Sequence, residues 1–282
     1  MNRKNISKET GFGKKIADLL VYIWAAVCLF PVFMIINYSF KTKREIYIGN
    51  PISIPQKLNF DNYKNAFEKL NIGVMFANTV FYTICSVLIL VILCSAAAWA
   101  IQRNKKRFFR FSYYYFIVGI LIPAQALFLP IYVVGYKLNL VDTRIGVILM
   151  FVATNLSFGV FLMTGFITTV PVELEEAARI DGYSLYQIFF RIVLPLLKPA
   201  IATLIILQSF QIWNEYLMSS LFVSSNDLKT ITVAIQGLFS QQTSDYTTAF
   251  AAIIISVTPI AVLFMFLQKY FIKGLTVGAV KG

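Results

Sequence analysis

Long apolar runs separated by short polar connections dominate the residue pattern of this chain. Six stretches are each long enough to cross a ~30 Å hydrocarbon core as an α-helix, and they are residues 19–40, 70–102, 111–136, 145–172, 199–223 and 246–268. Five of them carry no charged residue, and 199–223 contains Glu215. The pattern therefore predicts an all-α integral membrane protein with six transmembrane helices.

Composition supports the membrane assignment. Of 282 residues, 58% are hydrophobic and 13% are charged, whereas soluble domains carry about 25% charged residues. The net charge of +12 comes from Lys and Arg between the apolar runs, where retention of basic segments in the cytoplasm explains it. We therefore expect a lipid bilayer as the chain's environment and no nucleic acid as a partner.

The basic residues also predict an orientation. They cluster within residues 1–18, before the first span, and in RNKKRFFR at 103–110, between the second and third spans. Both clusters belong in the cytoplasm, and six spans return the C-terminal lysines to that side. The connection 41–69 is also basic, but it is longer and contains prolines and a glycine, so we expect it outside.

Candidate chemistry is sparse. The sequence contains no His, which excludes Ser/His and Cys/His nucleophile pairs, and it contains no G-x-x-x-x-G-K-[ST] phosphate-binding loop. The three cysteines fall inside apolar runs without metal-ligand spacing, which favours buried packing positions. We therefore expect neither an enzyme nor a chain that binds ATP, a metal or another cofactor itself.

The most informative connection is 171–200, PVELEEAARIDGYSLYQIFFRIVLPLLKPA. Pro171 suits a first helical turn, and the acidic residues after it place negative charge near the positive end of the helix dipole. Asp181-Gly182 is a turn signal, after which apolar residues recur at helical spacing. These features predict two short helices that meet at an elbow, with Pro195 and Pro199 bending the chain afterwards. On the residues alone, an ordinary solvated amphipathic loop remains an equal alternative.

The pattern E-A-A-x-x-D-G, nine residues, then I-x-L-P resembles the signature of permeases in bacterial ABC importers. The matching residues are Glu176, Ala177, Ala178, Asp181, Gly182, Ile192, Leu194 and Pro195. The resemblance implies the fold of a type I ABC importer permease, in which this segment is a cytoplasmic coupling helix that docks in a cleft of a separate ATPase. Glu176 and Arg179 could then form ion pairs across that contact.

Two further stretches resemble the carbohydrate-uptake branch, specifically the smaller permease of maltose-type importers. They are IWNEYL at 212–217 and the C-terminal QKYFIKGLTVGAVKG. In that branch the tail reaches between the two ATPase subunits, which singles out Gly278, Ala279, Val280, Lys281 and Gly282. The resemblance also implies a second homologous permease, an extracytoplasmic solute-binding protein, and ATP and Mg on two copies of the ATPase subunit.

The expected organisation is a cytoplasmic N-terminal segment (1–18), a six-span permease domain (19–272) and a cytoplasmic tail (273–282). The chain would lie in the bacterial inner membrane with both termini in the cytoplasm. Its implied function is to form half of the translocation pathway for a sugar or oligosaccharide. The alternative is a secondary solute transporter, for which inverted repeats, broken helices and several intramembrane ionisable residues are typical.

Glu215 is the ionisable residue inside a predicted span, where a charge costs several kcal/mol unless it faces a cavity, a partner or the interface. One interpretation places Trp213, Asn214 and Glu215 near the translocation path, and the other makes Glu215 a helix contact or an interfacial group. The aromatic run FFRFSYYYF at 108–116 similarly fits an interfacial belt first and a binding surface second.

Overall fold

The computed structural model describes residues 11–240 and 245–279, and these residues form helices and connections without any strand. The chain divides into two compact units. The first comprises Met1–Leu70 with Leu238–Ile255, and the second comprises Asn71–Gly237 with Ser256–Gly282. The all-α membrane fold predicted from the sequence is thus confirmed.

The first unit begins with the first predicted span. Its helices are α1 (Gly11–Ser39), α2 (Lys43–Tyr47) and α3 (Asp61–Leu70). The connection after α1 is folded rather than open. The fully buried ammonium of Lys41 donates to the carbonyls of Asn50 and Pro51 at 3.2 and 3.0 Å, because a buried charge must be hydrogen-bonded.

The second unit contains most of the remaining helices. They are α4 (Ile72–Arg103), α5 (Arg107–Leu121), α6 (Phe128–Lys137), α7 (Arg144–Ile167), α8 (Val172–Ile180), α9 (Leu185–Ile188), α10 (Leu194–Leu196), α11 (Lys198–Trp213) and α12 (Leu217–Phe222). Short 3₁₀ turns lie at Ala124–Leu127 and Asn226–Leu228, and a π-helical turn lies at Phe189–Val193. Two last helices, α13 (Ile231–Ser240) and α14 (Tyr246–Ala279), each include residues of both units.

The core of the second unit is built around α4 and α7. Gly159 of α7 permits their close approach, because a β-carbon there would meet the sulfur of Cys94 in α4. Helices α5 and α11 both pack against this pair. Cys94 is buried as predicted, but Cys85 is only partly buried and Cys28 is exposed on α1, so the prediction of three buried cysteines was wrong for these two.

Among the described residues, four helices are long and apolar enough to cross a membrane alone, namely α1, α4, α7 and α14. The third predicted span is broken instead: Arg107–Leu121 and Ala124–Lys137 are bent by 100°. Pro123 explains the break, because a proline disfavours the helical conformation of the residue before it. Ile122 is accordingly extended, with ψ 122°. The part of the chain that the structure describes holds up to six crossings if each bent pair counts as one span.

The fifth predicted span, 199–223, is also interrupted. Helix α11 ends at Trp213, and α12 begins at Leu217. A second bend of 77° separates Leu185–Leu196 from Lys198–Trp213, at the position where Pro195 and Pro199 predicted one. Broken helices, which we associated with the secondary-transporter alternative, are therefore present here.

The C-terminal helix extends further than the last predicted span. Helix α14 continues to Ala279, so residues 273–279 of the expected tail are helical. Gly278 and Ala279 lie at the end of this helix, and Val280, Lys281 and Gly282 lie outside the described residues. The predicted contact of these five residues with an ATPase stays a prediction.

Candidate functional site

The predicted elbow is present. Helix α8 ends at Ile180, and Gly182 adopts φ +84°, a left-handed conformation that glycine accepts without cost. Helix α9 begins at Leu185 and is preceded by a capping box at Ser184, in which Gln187 Oε1 accepts from the Ser184 backbone N–H at 2.8 Å. The two short helices and their turn are thus specified by local sequence.

One buried carboxylate fixes the first of these helices to the membrane-spanning core. Glu175 of α8 is 2% exposed. Its Oε2 accepts from the indole N–H of Trp99 at 2.8 Å, and its Oε1 accepts from Nε of Arg103 at 2.9 Å. Arg103 also donates to the carbonyl of Val170 at 2.7 Å. Every donor in this cluster comes from the end of α4, so α8 is held in a defined position on that helix.

The second short helix reaches the same part of α4. The buried ring of Phe189, in the π-helical turn after α9, lies 5.6 Å from the ring of Trp99 between centroids. Trp99 therefore contacts α8 through its N–H and the α9 segment through its ring face. A movement of either short helix would therefore change the contacts of the Trp99 indole.

The residues of the predicted coupling signature divide between surface and core. Those at the surface are Glu176, Ala177, Arg179, Asp181, Gly182 and Pro195, whereas Ala178 is buried and Ile192 and Leu194 are partly buried. The anchoring residues Trp99, Arg103 and Glu175 were not among the candidate site residues. A signal was available, because Glu175 and Ala178 are three residues apart and share the inner face of α8.

The outer side of the elbow exposes large apolar side chains. Ile180, Leu185 and Tyr186, which we call the elbow face, are 87%, 59% and 80% exposed. Exposed apolar clusters of this kind rimmed by charged residues mark interaction surfaces, and Glu176 and Arg179 supply such charges here. The elbow therefore presents an apolar surface on a rigidly anchored support.

All three residues predicted near a translocation path make hydrogen bonds within the chain. Trp213 is 5% exposed and donates to the carbonyl of Ser256 at 3.0 Å, with its ring edge-to-face against Phe76. Asn214 is exposed and donates to the carbonyl of Phe210 at 2.7 Å. The buried indole of Trp213 thus packs inside its own subunit, and a role in the path stays a prediction for all three residues.

Glu215 caps α12, the helix that begins after the interruption at residues 214–216. Its Oε1 accepts from the Met218 N–H at 2.6 Å, and its Oε2 accepts from the N–H and the hydroxyl of Ser219 at 2.8 and 2.7 Å. These groups belong to the first turn of α12, where backbone donors lack partners and the helix dipole favours negative charge. The capping contacts explain why a carboxylate is tolerated in this span.

The helices that follow the break at Ile122-Pro123 and the interruption after Trp213 pack against each other. Helix α6 contacts α12, and a β-carbon at Gly135 would meet the ring of Phe222. At the first break, Ile122, Pro123 and Gln125 are exposed. The chain thus leaves non-helical backbone uncovered in the middle of a predicted span.

A polar clasp joins the connection before α7 to the connection after α12. The Asp142 carboxylate accepts from the backbone N–H groups of Ser224 and Ser225 at 3.0 and 2.9 Å and from the Ser225 hydroxyl. The hydrogen bonds from Ser225, the hydroxyl first, lower the pKa of Asp142. The carboxylate is therefore ionised throughout the neutral range.

Comparison with known families matches residues 91–277 to the binding-protein-dependent transport system inner membrane component. The chain is 35% identical over 268 residues to the probable starch degradation products transport system permease protein AmyC of Thermoanaerobacterium thermosulfurigenes, covering 95% of this chain and 97% of that protein. It is 36% identical over 269 residues to the melibiose/raffinose/stachyose import permease protein MelC of Bacillus subtilis, with the same coverage.

One solved structure has a closely similar fold. A chain of a bacterial ABC transporter involved in the import of the acidic polysaccharide alginate superimposes with a TM-score of 0.84. The two chains are 24% identical, and the match covers 94% of this chain and 98% of that one. The likeness concerns the fold alone.

Proposed function

Since the chain belongs to the family of binding-protein-dependent transport system inner membrane components, we propose that it forms half of the translocation pathway of an ATP-driven sugar importer. The membership confirms the resemblance drawn from residues 176–195 and places the chain as a multi-pass component of the inner membrane.

The anchored elbow supports the proposed coupling role. Glu175 and Phe189 attach α8 and the α9 segment to Trp99 and Arg103 at the end of α4, while the elbow face points away from that support. A rigid apolar projection is suited to docking in a cleft of a separate ATPase subunit. Movement of that ATPase would then be transmitted to α4, which belongs to the core of the second unit.

The first break supports a place beside the translocation path. In the hydrocarbon region, non-helical backbone is tolerated only where it is buried in protein or lines a water-filled cavity. The break at Ile122-Pro123 is exposed in this chain, so another protein surface or water must face it. A second, homologous permease that encloses an aqueous path together with this chain would supply both the protein surface and the water.

The relatives support a carbohydrate as the cargo. AmyC is named for starch degradation products and MelC for melibiose, raffinose and stachyose. The family description names dependence on a binding protein, and we propose that an extracytoplasmic solute-binding protein delivers the sugar. We place ATP and Mg on two copies of a partner ATPase, and we propose that this chain neither binds a cofactor nor catalyses a reaction.

Reconstitution tests the proposal. The complete complex in proteoliposomes, with its binding protein, should take up maltotetraose or raffinose when ATP is supplied on the ATPase side. Uptake should cease without ATP, and the purified chain alone should not hydrolyse ATP. Uptake that runs on an ion gradient without ATP would contradict the proposal and favour a secondary transporter.

A further inference from the structure

Helix α5 carries a continuous exposed face rich in aromatic residues. Its members recur at spacings of three and four residues and are 55–75% exposed: Phe111, Tyr114, Tyr115, Val118 and Leu121. The opposite side packs on the core, where Phe116 contacts buried residues and a β-carbon at Gly119 would meet Ser157 of α7. We call the exposed set the α5 face.

The α5 face ends at the first break. Leu121 is its last member, and the extended Ile122 and Pro123 follow directly and are also exposed. Helix α5 has 15 residues, so it rises about 22 Å at ~1.5 Å per residue. The break therefore lies inside a ~30 Å hydrocarbon core, where exposed non-helical backbone cannot face lipid.

This continuity favours the binding-surface interpretation of the aromatic run. An interfacial belt places its rings at the headgroup level, but the α5 face continues from Phe111 down to Leu121 and into a segment that lipid cannot cover. Because one helix face leads straight into that segment, the surroundings of the break extend along it. The α5 face thus borders the water or the partner protein that must cover the break.

The composition of the α5 face is suited to one class of ligand. Between Phe111 and Leu121 it offers aromatic rings, two phenol hydroxyls and no charge. A pyranose ring has apolar C–H faces that stack on aromatic rings and hydroxyl edges that exchange hydrogen bonds with phenols. We propose that the α5 face, centred on Phe111, Tyr114 and Tyr115, contacts the neutral sugar during translocation. This inference rests on the proposed function and deepens it.

The surroundings of the α5 face can be tested in the assembled complex. In a Cys28→Ser, Cys85→Ser background, a spin label on Tyr114→Cys is compared for collisions with a water-soluble nickel chelate and with oxygen. Contact with an aqueous path predicts strong relaxation by nickel in the nucleotide-free complex. Relaxation by oxygen with little effect of nickel would place residue 114 against lipid and overturn the inference, while the proposed function would stand. Shielding from both would indicate burial against the second permease and overturn it as well.

Sugar contact is tested by uptake kinetics with maltotetraose or raffinose, whichever the wild type imports. Tyr114→Leu should raise the half-saturating concentration of the loaded binding protein or lower uptake about three- to tenfold, and Tyr114→Phe should retain most of it. Tyr113→Leu is the matched control, because Tyr113 is adjacent but partly buried; it should alter complex yield rather than the dependence on sugar. Unchanged uptake by Phe111→Leu, Tyr114→Leu would overturn the inference, and a wild type without sugar uptake would overturn the proposed function and this inference together.

Discussion

The guanidinium of Arg103, in the last turn of α4, lies 2.9 Å from the carboxylate of Glu175 in the first short helix of the elbow. The side chain of Glu175 is 3% exposed and that of Arg103 is 15% exposed, so water screens this ion pair weakly. Surface ion pairs contribute little to stability, but removing one partner of a buried pair leaves an uncompensated charge. The position of the elbow therefore depends on this contact.

Glu175→Gln should release α8 from α4. We expect the free energy of unfolding of the purified complex to fall by about 2–4 kcal/mol, because Arg103 loses its counter-charge, and ATP-dependent uptake to fall with it. Glu176→Gln is the matched control, since Glu176 is the adjacent residue but exposed; it should leave thermal unfolding unchanged. Equal melting temperatures for both variants would contradict the anchoring role.

Gly182→Val should uncouple the transporter without unfolding it. No atom lies within 4 Å of a β-carbon at Gly182, so the cost is conformational, about 1–2 kcal/mol for a left-handed residue. We expect normal insertion and pairing with the permease partner, with loss of uptake and of control by the binding protein. Gly182→Asn should retain more activity, because Asn tolerates this conformation; equal uptake by wild type and the Val variant would reduce the elbow to a solvated loop.

Glu176→Lys probes the same contact through charge. Glu176 is exposed beside the elbow face, so the fold should not change. If this face docks on the ATPase, reversing the charge should weaken its retention during purification and lower uptake severalfold. Retention of the ATPase at wild-type stoichiometry would exclude Glu176 from the contact.

Glu215→Gln should weaken the cap of α12. The amide keeps one acceptor oxygen, whereas the three donors at Met218 and Ser219 are now divided between two carboxylate oxygens. A loss of about 1 kcal/mol is expected, with lower complex yield or uptake. Wild-type thermal stability and uptake would show that the cap is dispensable.

The Asp142 clasp should respond to acid only at low pH. Because hydrogen bonds lower its pKa from the ordinary value of 3.8, the stabilisation is complete above that value and disappears as the pH falls through the lower folded pKa. The difference in melting temperature between wild type and Asp142→Asn should therefore be constant from pH 8 to about pH 5 and shrink below about pH 4. A difference that vanishes near pH 6 would contradict this account.

The predicted orientation can be checked with one added cysteine. Lys105 is exposed in the connection between α4 and α5, which we place in the cytoplasm. In a background where exposed Cys28 and partly buried Cys85 are Ser, Lys105→Cys should resist an impermeant thiol reagent in intact cells and react after permeabilisation. Labelling of intact cells would reverse the proposed topology.

Local signals in the sequence were sufficient for the elbow. Gly182 and the capping residues specify their own turn, and the motif around them identifies the family. The anchor required information that a single sequence lacks, because Arg103 and Glu175 are separated by 72 positions and their contact depends on how α4 and α7 pack. The spacing of Glu175 and Ala178 places this carboxylate on the inner face of α8, but it does not identify the partner of Glu175 on α4.

The breaks were missed for a different reason. Apolar content alone makes 111–136 and 199–223 long enough to be single helices, and Pro123 was given no weight inside its run. The carboxylate of Glu215 was recognised as unusual, but its function as a cap requires that α11 end at Trp213. Hydropathy reports which residues tolerate lipid, and it does not report where backbone hydrogen bonds are interrupted.

The hydrogen bond between the Trp99 indole and the Glu175 carboxylate also gives the protein an internal optical probe. The sequence contains three tryptophans, at positions 24, 99 and 213, so Trp24→Phe and Trp213→Phe would leave Trp99 as the one tryptophan of this chain. A carboxylate at 2.8 Å and the ring of Phe189 at 5.6 Å define the local field around this chromophore. Its emission maximum and lifetime should therefore change whenever the elbow leaves α4, so that in a complex whose partner subunits lack tryptophan the coupling step could be timed during ATP turnover without an added label.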